Sequence, residues 1–226
     1  MMKKSRTTIL TALAALALGM AAAAADEAFE PMRYEAQNVR AVRIDVRDRR
    51  VEVLPSEDGT LRIEAFESGK ERYGLSVDEG GNLVMTLDTS AKTWMDFIGG
   101  KPEAGVRTIT LRLPEGGLDE LAIATTNEDI VLSPLRVEQE AALVNNGGSI
   151  RFEGLDAGSA IRLEAKNGDI VGSVAGGWDD YAIACNIKKG RSNLPQSKPE
   201  GAKTLTVVCN NGEVEVRPEA AFTPAA

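Results

Sequence analysis

The chain has no histidine among its 226 residues. That removes the side chain most used as a general base near neutral pH and the commonest metal ligand. With it go the Ser-His-Asp and Cys-His catalytic arrangements. Aromatics are scarce: two Trp, three Tyr and five Phe, too few for the stacking platforms a sugar-cleaving cleft usually wants. No glycine-rich loop runs into a helix, so there is no phosphate cradle. Positive charge is also in deficit, with 26 Lys and Arg against 34 Asp and Glu, which argues against nucleic acid and against docking on anionic lipid. Beyond the N-terminus no apolar run is long enough to span a membrane.

The N-terminus carries the first positive signal. Lys3, Lys4 and Arg6 precede an uncharged run from Thr7 to Ala25, with small residues at Ala23 and Ala25. Basic head, short apolar core and small-residue end are the three parts of a secretory signal peptide. Cleavage after Ala25 starts the mature chain at Asp26. A retained anchor is the competing reading, but the strictly apolar core is about a dozen residues where a span needs about 20. Cleavage takes three basic residues from the 26, leaving 23 against 34 acidic, a net charge of −11. A soluble periplasmic protein is the expectation, with a secreted or surface protein as the alternative.

The repeat decides the fold class. Thr125-Thr126-Asn127-Glu128-Asp129-Ile130, Asn145-Asn146-Gly147-Gly148-Ser149-Ile150, Ala165-Lys166-Asn167-Gly168-Asp169-Ile170 and Cys209-Asn210-Asn211-Gly212-Glu213-Val214 share one pattern. Each ends a strand, turns on Asn or Gly, and opens the next strand on a β-branched residue. Ile130, Ile150 and Ile170 are 20 residues apart, as are Ile123, Leu143, Leu163 and Ile183. The next equivalent is Val207, 24 residues on, so an insertion falls around Lys188–Lys203. Within coils the apolar residues alternate, as in Ile161, Leu163 and Ala165, which means extended strands with one buried face. A coil this short cannot bury its face alone, so coils must stack, about 4.8 Å apart. The expected fold is all-β: a single-domain β-solenoid of ~20-residue coils. The turn ladder Asn127, Asn146, Gly147, Asn167, Gly168, Asn211 and Gly212 is expected to be structural, supplying left-handed corners.

The N-terminal half alternates with less regular spacing, through Val42, Ile44 and Val46, then Leu83, Met85 and Leu87, then Ile109, Leu111 and Leu113. A sandwich followed by a solenoid is the alternative, but no Pro/Ser-rich linker divides the chain. The expected organisation is signal peptide 1–25, extension 26–37, repeat domain 38–217 and tail 218–226. Val42-Arg43-Ile44-Asp45-Val46, Val51-Glu52-Val53-Leu54-Pro55, Leu113-Pro114-Glu115 ahead of Leu118-Asp119-Glu120-Leu121, and the Asn-Gly-Asp-Ile turns together resemble a β-strand-repeat family of bacterial envelope proteins labelled as candidate adhesins. Glu128 stands where that pattern usually carries Gly. The resemblance implies a solenoid-like domain with an envelope role and no established activity.

Three features have competing readings. Asp129, Asp169 and Glu213 recur at one phase and could line an edge where a hard cation would bind. Ser149 interrupts the row and the calcium-binding nonapeptide pattern is missing, so no metal, cofactor or catalytic residue is assigned. Cys185 and Cys209 share the inward parity in successive coils. Stacked Cα atoms about 5 Å apart would suit a disulfide in an oxidising compartment; two buried thiols are the alternative. Finally, Trp94, Met95, Phe97 and Ile98 crowd a segment between strands, either as a cap over an open end or as a partner-binding loop. The functional expectation is a non-enzymatic envelope module that binds a protein or glycan through ordered surface. The alternatives are an accessory of a membrane protein and, last, a polysaccharide-active β-helix enzyme.

Overall fold

The computed structural model describes residues 28–97 and 101–219. The expected signal peptide, Ile98 and all but the first two residues of the tail lie outside the described residues. The described residues form 18 strands, here numbered in order. The N-terminal half holds β1 (Glu30–Ala36), β2 (Ala41–Asp45), β3 (Arg50–Pro55), β4 (Leu61–Glu67), β5 (Arg72–Val77), β6 (Asn82–Asp88) and β7 (Thr108–Leu113). Then come β8 (Glu120–Thr125), β9 (Ile130–Leu132), β10 (Leu135–Val137), β11 (Glu140–Asn145), β12 (Ile150–Ala157), β13 (Ala160–Asn167) and β14 (Ile170–Ala175). The last are β15 (Tyr181–Lys189), β16 (Ser197–Lys198), β17 (Lys203–Asn211) and β18 (Val214–Glu219). Among the described residues no helix is long and apolar enough to cross a membrane.

Two nine-stranded sheets face each other across the core. The first runs β1-β4-β7-β3-β9-β12-β14-β18, with β10 also on β12; the second runs β16-β15-β17-β13-β11-β8-β2-β6-β5. One coil is a strand of the second sheet, a corner, and a strand of the first. The 20-residue period becomes exact parallel register: Ile150 pairs with Ile130 and Ile170, and Leu143 with Ile123 and Leu163. These side chains are at most 1% exposed, and burying each contributes about 1.5–3 kcal/mol. The all-β, solenoid-like expectation holds.

The coils do not stack in chain order. The β2–β3 coil sits between β8–β9 and β6–β7, because β2 pairs with both β8 and β6. At the far end β17 inserts between β13 and β15. The insertion around Lys188–Lys203 closes that end. Its β16 pairs antiparallel with β15. The Asn193 amide donates to the Val216 carbonyl (2.6 Å) and its oxygen accepts the Val216 N–H (3.0 Å), while Leu194 is buried. Exposed edge strands invite pairing with other chains, and here a side chain and a two-residue strand occupy the edges. The opposite end is antiparallel: β1 on β4 in the first sheet and β5 on β6 in the second. Residues 26–37, set apart in the sequence as an extension, thus contain β1.

Candidate functional site

The corners that join the second sheet to the first carry the turn ladder. Asn127 adopts the left-handed conformation (φ 61°) and donates to Asp48 Oδ1 at 2.9 Å. Asn211 donates to Asn167 Oδ1 at 2.7 Å, and Asn167 reaches the Asn146 carbonyl at 3.4 Å. Glycine is required for close approach between coils: a Cβ on Gly148 would overlap the Glu128 carbonyl, one on Gly168 the Gly148 carbonyl, and one on Gly212 the Gly168 carbonyl.

The central hydrogen-bonding residue of these turns is Asn145, which is 1% exposed. Its oxygen accepts from the N–H groups of Gly147 and Gly148, and its amide donates to the carbonyls of Glu128 and Ser149. Asn146, the residue expected in the ladder at this corner, contributes its carbonyl, which accepts from Asn167 at 3.4 Å. The available signal was parity, since Asn145 follows Ala141 and Leu143 on the inward face, where a polar residue must be satisfied.

The acidic row is also built into the corners. Asp129 Oδ1 accepts the Ser149 N–H (2.8 Å), Ser149 Oγ accepts the Asp169 N–H (3.2 Å), and Asp169 Oδ1 accepts the Glu213 N–H (2.9 Å). Each side chain therefore binds the next coil's backbone, and Ser149 continues the row chemically where its charge lapses.

A buried charged cluster that no sequence pattern marks lies beside the first corner. Arg49 and Glu71, 1% and 2% exposed, form an ion pair. Arg49 also donates to Tyr73 Oη (2.7 Å) and to the Asp48 carbonyl (3.1 Å), and its guanidinium lies 5.9 Å from the Tyr73 ring centre. Burial works against the Arg49 charge, but Tyr73 and Glu71 outweigh it and raise its pKa. Lys92 joins Glu71 from the segment that leads to Trp94.

That segment is the long corner between β6 and β7, so it occupies the turn side of the stack. Trp94, Met95 and Phe97 fall in a 3-10 turn, Trp94–Phe97. Ion pairs fix the corner at several points: Lys70 to Asp96, Lys92 to Glu71, Lys101 to Asp48 and Glu128 (3.4 Å each), and Arg107 to Glu128. Glu128, the departure from the turn pattern, thus anchors the neighbouring corner. Thr93 donates through N–H and hydroxyl to Asp96. Lys70 and Thr93 hold the Asp96 carboxyl well below the usual carboxylate range. Above this scaffold Trp94 is 72% exposed.

The cysteine expectation is displaced by two residues. β15 and β17 pair with Ile183 opposite Leu205, so Cys185 faces Val207 and Cys209 faces Ile187. A two-residue offset on neighbouring strands separates the Cα atoms by about 8 Å, beyond the range a disulfide spans. Both thiols are free and buried. Cys185 Sγ lies 3.5 Å from Ser192 Oγ and Cys209 Sγ donates to the Gly168 carbonyl at 3.6 Å. Burial, then Asp169, pushes the Cys209 thiol up, away from the reactive thiolate.

Surface depressions are made of turns. One, about 600 Å³, lies between Pro55, Ser56, Glu57, Gly59, Pro114 and Glu115; its Ser56 hydroxyl is spent on Asp58 at 2.9 Å. A second, about 190 Å³, is lined by Arg40, Asp119, Glu120 and neighbours, and Arg40 is paired there with Asp119 at 2.5 Å.

Most of the chain resembles a solved structure of a candidate cell adhesion protein from Clostridium sporogenes. The TM-score is 0.62 at 8% identity, covering 86% of this chain and all of that one, a likeness of fold. A candidate adhesin from Bacteroides fragilis aligns over 86% of this chain and 98% of its own at 10% identity, but its TM-score of 0.40 carries no argument. No curated protein matches the chain. The model of the Toastrack family, DUF4097, matches residues 39–217, which is most of the chain; the protein belongs to that family.

Proposed function

We propose that the chain is an exported, non-enzymatic module of the cell envelope that meets a protein partner through the Trp94 corner. The observation that carries this is a 72% exposed tryptophan on a 3-10 turn pinned by ion pairs to the rigid stack. Exposed aromatics on ordered supports are the usual anchors of protein interfaces, because little conformational entropy is lost when they dock. The N-terminal pattern of residues 1–25 supports export. The non-enzymatic reading is supported by the lack of histidine and by the turn row spending its oxygens on backbone N–H groups. The adhesion name of the Clostridium sporogenes neighbour agrees with a surface role.

The test is photocrosslinking in cells with the probe in place of Trp94. A discrete band containing a second protein is expected, and it should vanish when the probe is moved to Arg151 on the outward face of the first sheet. Silence at Trp94 in exported, folded protein would sink the reading.

A further inference from the structure

The two outward faces of the stack differ in a way that the fold does not require. On the first sheet the outward side chains of β1, β3, β4 and β7 are long, charged and paired, Arg62 with Glu35, Arg112 with Glu64, Arg50 with Glu52, and further along the sheet Val131 and Val171 alternate with Arg151. That is a solvated surface. On the second sheet the centre is small and apolar, with Ala122 beside Ala142 and Ala124 beside Val144 on β8 and β11. The flanking strands add charge in a set order. β2 places Arg43 beside Ala122 and Asp45 beside Ala124, and β13 places Arg162 beside Ala142 and Glu164 beside Val144. Two rows result, reading Arg-Ala-Ala-Arg and Asp-Ala-Val-Glu across four strands.

This pattern is complementary to itself. A twofold axis lying in the face and running across the strands, between the rows, sets each strand antiparallel over its own copy. Arg43 then meets Asp45 of the partner subunit, Arg162 meets Glu164 of the partner subunit, and alanines meet Ala or Val. An axis along the strands between β8 and β11 would set arginine over arginine and carboxylate over carboxylate. Charge therefore selects one geometry. Arg162 is paired with Glu164 of its own chain at 2.9 Å and exchanges it for the same group of the second copy; among the described residues neither Arg43 nor Asp45 has an ion-pair partner within the chain, and both are exposed. We propose that the outward face of the second sheet is the interface of a homodimer in which a second copy of this chain packs face to face about that axis.

The size is sufficient. Seven strands, from β6 to β15, at about 4.8 Å each and about five residues deep at 3.3 Å give a footprint of about 500 Å² per copy. The total of about 1,000 Å² sits at the lower bound of specific interfaces, so the dimer should be reversible. Sheets pack face to face in this way when the side chains between them are complementary.

The experiment is sedimentation analysis of the exported full chain across a micromolar to millimolar range. A concentration-dependent dimer is expected. Ala142→Arg, at the centre, should weaken it at least tenfold with little change in melting temperature. Arg43→Glu should weaken it severalfold, and adding Asp45→Arg should restore it, since the exchanged pair is again complementary about the same axis. The rescue uses exposed positions, so it remains decisive if Ala142→Arg folds poorly. Trp94→Ala should leave the dimer intact, which separates this proposal from the Trp94 reading. A monomer at every concentration, a dimer indifferent to Ala142→Arg, failure of the double variant to restore association, or a probe at Arg162 that captures a different protein would each overturn it.

Discussion

Replacing Glu71 with Leu tests whether the Arg49–Glu71 pair is a structural keystone of the antiparallel end. Both side chains are essentially out of water, at 1% and 2% exposure. Removing the acid strands a buried guanidinium, for which the typical loss is about 3–5 kcal/mol. Arg49 keeps two acceptors, Tyr73 Oη and the Asp48 carbonyl, so the lower end, about 3 kcal/mol, is expected. Lys92 also loses its bond to Glu71, but at 16% exposure it is less enclosed than Arg49. For a domain of this size about 3 kcal/mol corresponds to a drop of about 6–12 °C in Tm. Urea unfolding should show a lower midpoint at unchanged m, and calorimetry should agree. The double variant Arg49→Met with Glu71→Leu removes both charges and should recover to within about 1 kcal/mol of the wild type, since apolar residues commonly replace a buried pair without loss. A single variant that loses less than about 1 kcal/mol, or a double variant as unstable as the sum of the singles, would refute the reasoning. Because Lys92 links Glu71 to the Trp94 corner, the single variant should also shift tryptophan fluorescence before global unfolding.

Gly168→Ala should cost at least about 3 kcal/mol, because its Cβ would overlap the Gly148 backbone carbonyl, which cannot move aside. Gly59→Ala, with φ +70° but open space around it, should cost only about 1 kcal/mol; equal losses in denaturant titrations would discredit the stacking argument. Burial, then Asp156 and Asp180, pushes the Tyr181 hydroxyl up to about 12, where it donates to the Ala175 carbonyl at 2.7 Å. An unfolded tyrosine loses its proton near pH 10, so this contribution is complete below pH 10 and fades between 10 and 12. Stability should fall over that window more steeply in the wild type than in Tyr181→Phe, by about one proton. For the cysteines, thiol titration of the exported chain, unfolded without reductant, should find both Cys185 and Cys209 free; finding neither would show that β15 and β17 pair two residues away from the register described.

Most of the fold was legible because stacking makes period and register the same thing. Ile130, Ile150 and Ile170 are equally spaced in sequence and directly paired in space. Once the chain alternates inside and outside, stacking equal coils in one register buries all three. The glycines of the corners were legible in part: a Cβ on Gly168 or Gly212 would overlap a carbonyl of the neighbouring coil, whereas of the expected left-handed ladder positions only Asn127 and Gly168 have a positive φ. The buried Arg49–Glu71 pair was not legible. Its members are 22 positions apart on a corner and a turn, where no periodicity applies, and each looks like an ordinary surface charge.

The β15–β17 register and the order of the coils were illegible for one reason. A period-two pattern fixes which face a residue takes, but a shift of two residues preserves that face everywhere. Aligning Ile183 with Val207 and aligning it with Leu205 satisfy the apolar alternation equally well, so the sequence could not choose between them. The choice is made by chain connectivity, because the 188–203 insertion must cross the stack's end, dock Asn193 on β18 and return as β17 inside β15. Coil order escapes for the same reason. Every coil presents the same apolar ladder above and below, so β2 can sit between β6 and β8 without changing one buried residue. What distinguishes neighbours is outward chemistry, such as Glu128 reaching Arg107 and Lys101, or Gly148 making room for Glu128. In a repeat fold the inward pattern thus specifies the architecture, while the outward residues specify order, ends and partners, and it is there that the function of this chain is to be sought.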